Sequence, residues 1–431
     1  MGKKIDWYDE FIDLHYRPSK TDLVVLFYFE PAQGISKNEA IGRIASESST
    51  GTWTTLFTLP PRMKKLMATA FEVRGNFVKI AYPLDLWEKG NLPQLLSGIA
   101  GNIFGMKALK NLRLEDVSLP KDYVNSFPGP KHGIHGLRKF FKIWDRPLTG
   151  AVPKPKIGFS AKEHAEIGFQ TWMGGFDLVK DDENLTSTNF NNFYDRVKLM
   201  TKLRDKAEKL TGQTKDALIN ITAETKEMIK RAKFLHEYGW KYAMIDVVVA
   251  GSASVQTLRQ EMGDLGMAIH AHRAMHAAFD RSSKHGISMN FVAKINRLMG
   301  VDQIHAGTAV GKLVGSKSEV LGIANTLREH KVKEGELNLS QDWQNIKPAF
   351  PVSSGGLHPG LVPDVMHLFG NEFVLLVSGG IHGHPKGTLQ GAMATMQAIE
   401  ATTEGHSLEE AAKKHKELRL ALEKWGHYKP K

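Results

Sequence analysis

Residues 174–184 read Gly174-Gly175-Phe176-Asp177-Leu178-Val179-Lys180-Asp181-Asp182-Glu183-Asn184. A glycine pair and a short apolar step predict a strand that ends in a lysine followed at once by three carboxylates. Side chains alternate along a strand, so Lys180 and Asp182 project to one face, and Glu183 swings in beside them where the strand gives out. Oxygen ligands gathered at one point suit a hard divalent cation such as Mg2+. An ammonium among them repels a metal. The lysine makes sense there if burial holds its amine neutral and it takes up CO2 as a carbamate, an anionic oxygen ligand. The alternative is a solvated run of charge at a strand end.

Outward from this stretch the same rhythm recurs. Apolar strand candidates lie at 151–158, 176–182, 217–222, 242–249, 268–273, 303–307, 349–354 and 373–378, and amphipathic stretches at 190–211, 224–238, 254–263 and 291–298 separate them. Eight such units predict a (β/α)8 TIM barrel over residues 131–431, followed by a helical tail after Gly387. A doubly wound open sheet is the alternative, but no Gly-x-Gly-x-x-Gly opens the first unit. Residues 1–130 predict a smaller α+β domain. Strand patterns lie at 23–29 and 112–119, and 71–82 reads as strand, Gly-Asn turn, strand. Helical patterns lie at 36–46, with Ser36 as cap, and at 92–101.

The chain has 431 residues, 42% apolar and 24% charged, enough for two domains of ordinary globular composition. No apolar run is long enough to span a bilayer, and the first residues do not read as a leader. With no cysteine, disulfides and thiolate metal sites are excluded, and the cytoplasm is expected. The net charge of +11 fits a phosphorylated substrate. The lysines are spread along the chain without a long basic block, so neither a nucleic acid nor a membrane is expected as partner.

The chemistry-bearing side chains fall at the C-terminal ends of the predicted strands, where barrel enzymes build their sites. Strand one carries Lys154 and Lys156 on one face, strand two the Lys180 cluster, strand three Asn220 and strand four Asp246. Strand five carries His270, His272 and Arg273, and strand six His305. Strands seven and eight end in Ser354-Gly355-Gly356 and Ser378-Gly379-Gly380. Any one of these is more often structural. The bias shared by eight loops is hard to explain as core chemistry. The two glycine pairs with Lys154, Arg273 and His305 suit two phosphates on opposite sides of a central metal. The loop from Gly307 to Gly315 has glycines at both ends and Lys312 near its tip, the composition of a closing lid. Its alternative is a surface loop with a solvated lysine. In the first domain, Glu47-Ser48-Ser49-Thr50-Gly51-Thr52-Trp53 reads as a phosphate-binding turn or an ordinary helix-to-strand turn.

These motifs, together with Gly101-Asn102-Ile103-Phe104-Gly105, Lys154-Pro155-Lys156 and His270–His276, resemble the large subunit of ribulose-1,5-bisphosphate carboxylase/oxygenase. The resemblance is particularly to the archaeal form III type, which works without small subunits, and it runs from about Tyr16 to Tyr428. It implies a ferredoxin-like first domain and carboxylation of ribulose 1,5-bisphosphate by CO2 to two 3-phosphoglycerates, with O2 as competitor. It implies Mg2+ held by Asp182, Glu183 and the carbamate of Lys180, which takes the C3 proton to form an enediolate. Lys154 would act as an acid towards C2 with Lys156 in support, His272 would assist proton transfer, and Lys312 would polarise the incoming CO2. Glu47 would pair with Lys312 from a neighbouring subunit, so a homodimer is implied, and Asn102 would touch substrate and metal. One phosphate would sit on Thr52, Trp53, Gly356, Ser378 and Gly379, flanked by Gly380. The other would sit on Arg273, His305 and Ser354, beside Gly355. Supply of the bisphosphate by nucleotide salvage, as for form III relatives, or by a photosynthetic cycle is left open. Ser378 stands where a third glycine is usual, Val314 where an acidic residue is usual, Gln303 where a histidine is frequent, and Ile381-His382 where Thr-Leu is usual.

Three rivals compete. A related enolase or isomerase of sulfur salvage keeps the carbamate–metal centre but loses lid or phosphate residues, and here those positions are filled. A carbamyl-lysine amidohydrolase also uses His-x-His on a strand, but before the lysine rather than after it. A basic polyanion-binding protein has no use for an acidic cluster at the centre of a basic rim.

Overall fold

The computed structural model describes residues 6–54, 58, 60–310 and 316–428. They form two compact units. The first takes in Met1–Gly129 together with Met275–Met299 and Glu329–Ile346, and the second holds Pro130–Ala274, Gly300–Arg328 and Lys347–Lys431.

The first unit is built on an antiparallel sheet of Leu109–Ser118, Leu23–Pro31, Phe77–Tyr82 and Thr69–Arg74, in that spatial order. One helix, Lys37–Glu47, follows the first strand and another, Leu92–Ile99, follows the third, the β-α-β-β-α-β connection of a ferredoxin-like fold. Ser36 caps the first helix by accepting the Glu39 amide at 3.1 Å. Gly75, at φ +58°, turns the hairpin that the Gly-Asn pair predicted. A fifth strand, Gly286–Ile287, adds in parallel to the edge of Leu109–Ser118. The helix Met289–Met299 follows it and sends Lys294 to Asp116 at 2.7 Å, both side chains fully buried. The sequence pattern counted this helix as a barrel helix; its lysine, which needs the buried carboxylate, ties it to the first unit instead.

The second unit is an eight-stranded parallel barrel. Its strands are, in chain order, Leu148–Ala151, Leu178–Lys180, Asp216–Leu218, Tyr242–Asp246, Ala268–His272, Gln303–His305, Phe350–Ser354 and Val374–Leu376. The first pairs with the eighth, Gly150 opposite Leu376. The bridge Asn220–Met244 joins the third to the fourth and closes the ring. The helix Gly133–Phe141 plugs the end where the strands begin, its Ile134, Leu137 and Phe141 packed on Leu148, Leu178, Tyr242 and Phe350. Carboxylates stitch the same end. Asp177 accepts the Thr149 amide, Asp216 the Lys241 amide and Asp302 the Ile269 amide, at 2.8, 2.9 and 3.0 Å. With that end committed to packing, the opposite rim is left for chemistry. Among the described residues no helix is long and apolar enough to cross a membrane.

The first barrel strand departs from expectation. It runs over Leu148–Ala151, not 151–158, because Pro153 and Pro155 have no N–H to give a ladder. Lys154 and Lys156 therefore stand on the loop beyond it rather than on one strand face.

Candidate active site

Lys180 is the last residue of the second strand and is 1% exposed. Burial pushes its ammonium pKa below the ordinary lysine value, against the pull of Glu183, Asp182, Asp246 and Asp181. Its Nζ donates to the Asp181 carbonyl at 2.8 Å. Asp181 itself turns away from the rim. Its oxygens lie 3.0 Å from His164 and 3.1 Å from Arg196, both on flanking helices, and it accepts the Asn220 amide at 3.0 Å. Burial opposes its ionisation, but Arg196 and His164 hold its pKa below the usual value. This anchor fixes the backbone from which Lys180 and Asp182 project to the rim.

Around the lysine, cations and carboxylates alternate. Lys154 Nζ is 3.3 Å from Asp182, and Lys156 Nζ is 3.7 Å from Glu183. His272 bridges Glu183 at 3.7 Å and Asp246 at 3.3 Å. Asn220 Nδ2 reaches the Asp182 and Glu183 carbonyls and the Asp246 carboxylate, at 3.4, 3.3 and 3.3 Å. Among the described residues no three His, Asp or Glu side chains converge as a ready metal set. Asp182 and Glu183 supply carboxylate oxygens beside Lys180, and the Asp246 carboxylate lies close by, 3.3 Å from both Asn220 and His272.

Beside this centre runs a buried chain of polar groups. Tyr242 donates to Gln303 Oε1 at 3.3 Å, and Gln303 Nε2 meets His270 Nδ1 at 2.8 Å. His270 Nε2 lies 3.2 Å from His305 Nε2, and His305 Nδ1 lies 2.8 Å from Ser354 Oγ. Burial pushes both histidines well below the ordinary value, so both are neutral. Gln303 thus fills the position of the frequent histidine as the inner link of this chain. Arg273 is 8% exposed at the end of the fifth strand.

The two glycine pairs differ. Gly355 and Gly356 take φ +111° and +72°, values that disfavour any other residue. Gly379 has open space where a Cβ would stand, whereas a Cβ on Gly380 would lie 2.5 Å from the His358 backbone. Ser378 sits at φ −104°, so its side chain is carried without strain where a glycine is usual.

Glu47, Thr52, Trp53 and Asn102 lie in the first unit. Glu47 ends its helix, and Asn102 opens the short helical turn Asn102–Gly105; both are exposed. Trp53 is 76% exposed, unusual for an indole. Lys312 and Val314 lie outside the described residues. Strand-end reading missed His164 and Arg196, because they reach the centre from helices and not from strand termini.

Known proteins share both the sequence and the fold of this chain. The family model described as ribulose bisphosphate carboxylase large chain, catalytic domain, matches residues 133–425, and the corresponding N-terminal domain model matches residues 10–123. A ribulose bisphosphate carboxylase of Pyrococcus abyssi is 53% identical, over 99% of this chain and 99% of its own. The crystal structure of octameric ribulose-1,5-bisphosphate carboxylase/oxygenase from Pyrococcus horikoshii, in complex with sulfate, is 51% identical. It superposes with a TM-score of 0.91 over 99% of this chain and 98% of its own. A dimeric archaeal Rubisco from Hyperthermus butylicus, 47% identical, superposes with a TM-score of 0.93 over 98% and 100%.

Proposed function

Because this chain belongs to the archaeal, form III large chains of ribulose bisphosphate carboxylase and is an enzyme of that activity, we infer that its reaction is run at the rim around Lys180. The observation that carries the reading is a fully buried lysine at a strand end beside the carboxylates of Asp182 and Glu183, a donor set to which a lysine carbamate would add a third anionic oxygen ligand. Carbamylation of Lys180 by CO2 completes it. The donors are then all hard oxygens, which fit Mg2+. Bound there, Mg2+ would supply Lewis-acid stabilisation of the charge developed on the substrate.

The chain's own groups do the rest. The carbamate on Lys180 takes the C3 proton of ribulose 1,5-bisphosphate, giving the enediolate that CO2, or in competition O2, attacks. Lys154, 3.3 Å from Asp182, is held to give a proton at C2, and Lys156 balances Glu183. His272, fixed between Asp246 and Glu183, assists proton transfer. One phosphate is held by the backbone around Gly356, Ser378 and Gly379, with Gly380 packing the loops, and by Thr52 and Trp53. The other is held by Arg273, His305 and Ser354, with Gly355 shaping the turn. Lys312 meets the incoming CO2. The test is fixation of radiolabelled bicarbonate into acid-stable product with ribulose 1,5-bisphosphate and Mg2+. Exchange of the C3 proton without fixation would favour a salvage enolase or isomerase.

We further propose a homodimer, without small subunits, in which Glu47, Thr52, Trp53 and Asn102 serve the partner's site. The exposure of Glu47, Trp53 and Asn102 supports this, as does the dimeric relative. Mixing Glu47→Gln with Lys180→Ala chains should restore activity, to about a quarter of the parent at equal amounts, through hybrids that hold one complete site. No recovery, with hybrids shown by native mass spectrometry, would count against shared sites.

A further inference from the structure

Past the end of the pairing between the first and eighth barrel strands, the contact continues through side chains. Val377 N donates to the Gly150 carbonyl at 3.0 Å, the last backbone link. Next, the Val152 amide donates to Ser378 Oγ at 3.0 Å. The Val152 carbonyl in turn accepts from His382 Nε2 at 3.0 Å. The roles are unambiguous. An amide only donates and a carbonyl only accepts, so His382 carries its proton on Nε2. Its Nδ1 then accepts from the Thr388 hydroxyl at 3.0 Å. Burial pushes the His382 pKa down to about 4, so the ring stays neutral and keeps this single tautomer.

Both backbone polar groups of Val152 are thus taken by side chains from the loop after the eighth strand. Ser378 caps and His382 ends the helical turn Gly379–His382, whose amides at 381 and 382 point back at the Ser378 carbonyl. Two residues beyond Val152 stands Lys154. Pro153 offers no donor, so Val152 is the last residue before Lys154 whose backbone N–H can be held.

We propose that Ser378 and His382 are positioning residues that clamp the Val152 backbone, setting the approach of Lys154 to the reacting carbon, and that the Ser378 hydroxyl donates a hydrogen bond to the phosphate proposed to bind there. A glycine at 378 and a leucine at 382 have neither group and would leave the Val152 N–H and carbonyl to water. The clamp spans the phosphate loop and the Lys154 loop, so the two are placed together. This rests on the function proposed above.

The test uses His382→Leu, Ser378→Ala and Ser378→Thr in the full chain, with two readouts. Amide exchange by mass spectrometry should speed up in the peptide containing Val152 for the first two variants and not for Ser378→Thr, which keeps the hydroxyl. In bicarbonate fixation, kcat of His382→Leu should fall about 10- to 100-fold with KM for ribulose bisphosphate little changed, as expected of a small misplacement of a reacting group. Ser378→Ala should also raise KM, having lost a phosphate donor. Added to Lys154→Ala, His382→Leu should cost nothing further in residual bicarbonate fixation, because both act through one group. Unchanged amide exchange at Val152, or full additivity with Lys154→Ala, would overturn the clamp. Failure of the parent chain to fix bicarbonate would instead overturn the functional reading, and the exchange result would still decide whether the clamp exists.

Discussion

A Lys180→Ala chain is expected to fix no CO2 and to show no response to preincubation with CO2 and Mg2+. The loss should be about 10⁴-fold or more, since in the proposed mechanism one residue supplies both the proton acceptor and a metal ligand. In the parent chain the same preincubation should activate. The amine must be neutral to take up CO2, and burial already lowers its pKa. Raising the pH increases the neutral fraction, so activation should strengthen as pH rises from the acidic side. Lys180→Arg is the sharper control, because it keeps a cation at the strand end but cannot form the carbamate under these conditions. Activity in either variant at the parental level, measured as acid-stable label, would remove the centre from the mechanism.

The second large effect is expected at Lys312. It is the only lysine between Gly307 and Lys317, in a loop whose ends are anchored on either side. Gly307 leaves the sixth strand at φ +103°, and Ser316 accepts the Glu319 amide at the start of the helix Lys317–Arg328. Enolisation needs the carbamate, the metal and a bound sugar phosphate. Carboxylation needs in addition a cation over the incoming CO2, and exclusion of water from the enediolate. Lys312→Ala should therefore lose carboxylation by about 10³-fold, the scale of a lost electrostatic stabiliser, while C3-proton exchange with solvent persists. If both activities fell together, Lys312 would be needed for substrate binding or folding. If neither fell, a salvage enolase or isomerase would become the better reading.

The barrel was legible because its strands end in reactive side chains, and only a barrel rim gathers eight such ends. Residues 178–180 are apolar then charged, and strand two fell where the pattern put it. What stayed hidden was hidden for physical reasons. The apolar look of 151–158 concealed two prolines that cannot pair, so the first strand lies earlier. The helix Met289–Met299 has the periodicity of a barrel helix, and periodicity does not say which core a helix serves. At the site, Lys180, Asp182 and Glu183 announce themselves by type. His164 and Arg196 do not, because their partner Asp181 is reached across the chain fold. Ser378 and His382 read in sequence as departures, and only their hydrogen bonds to Val152 give them a task.

The buried pair of Asp116 and Lys294 bears on how the chain is made. The four main strands of the first unit are complete by residue 118, early in synthesis. Yet Asp116 receives its cation from Lys294 and a further amide from Leu339, 223 residues downstream. At about 5–20 residues per second, a ribosome takes about 9–36 s to cover the 178 residues from Asp116 to Lys294. Until then Asp116 lacks both its cover and its counter-charge, and burying it without Lys294 would cost about 3–5 kcal/mol. The part of the chain born first is therefore finished among the last. A fragment cut at residue 130 would be expected to stay unfolded, however complete its strands, and nascent chains would depend on being kept from aggregating until the helix Met289–Met299 emerges.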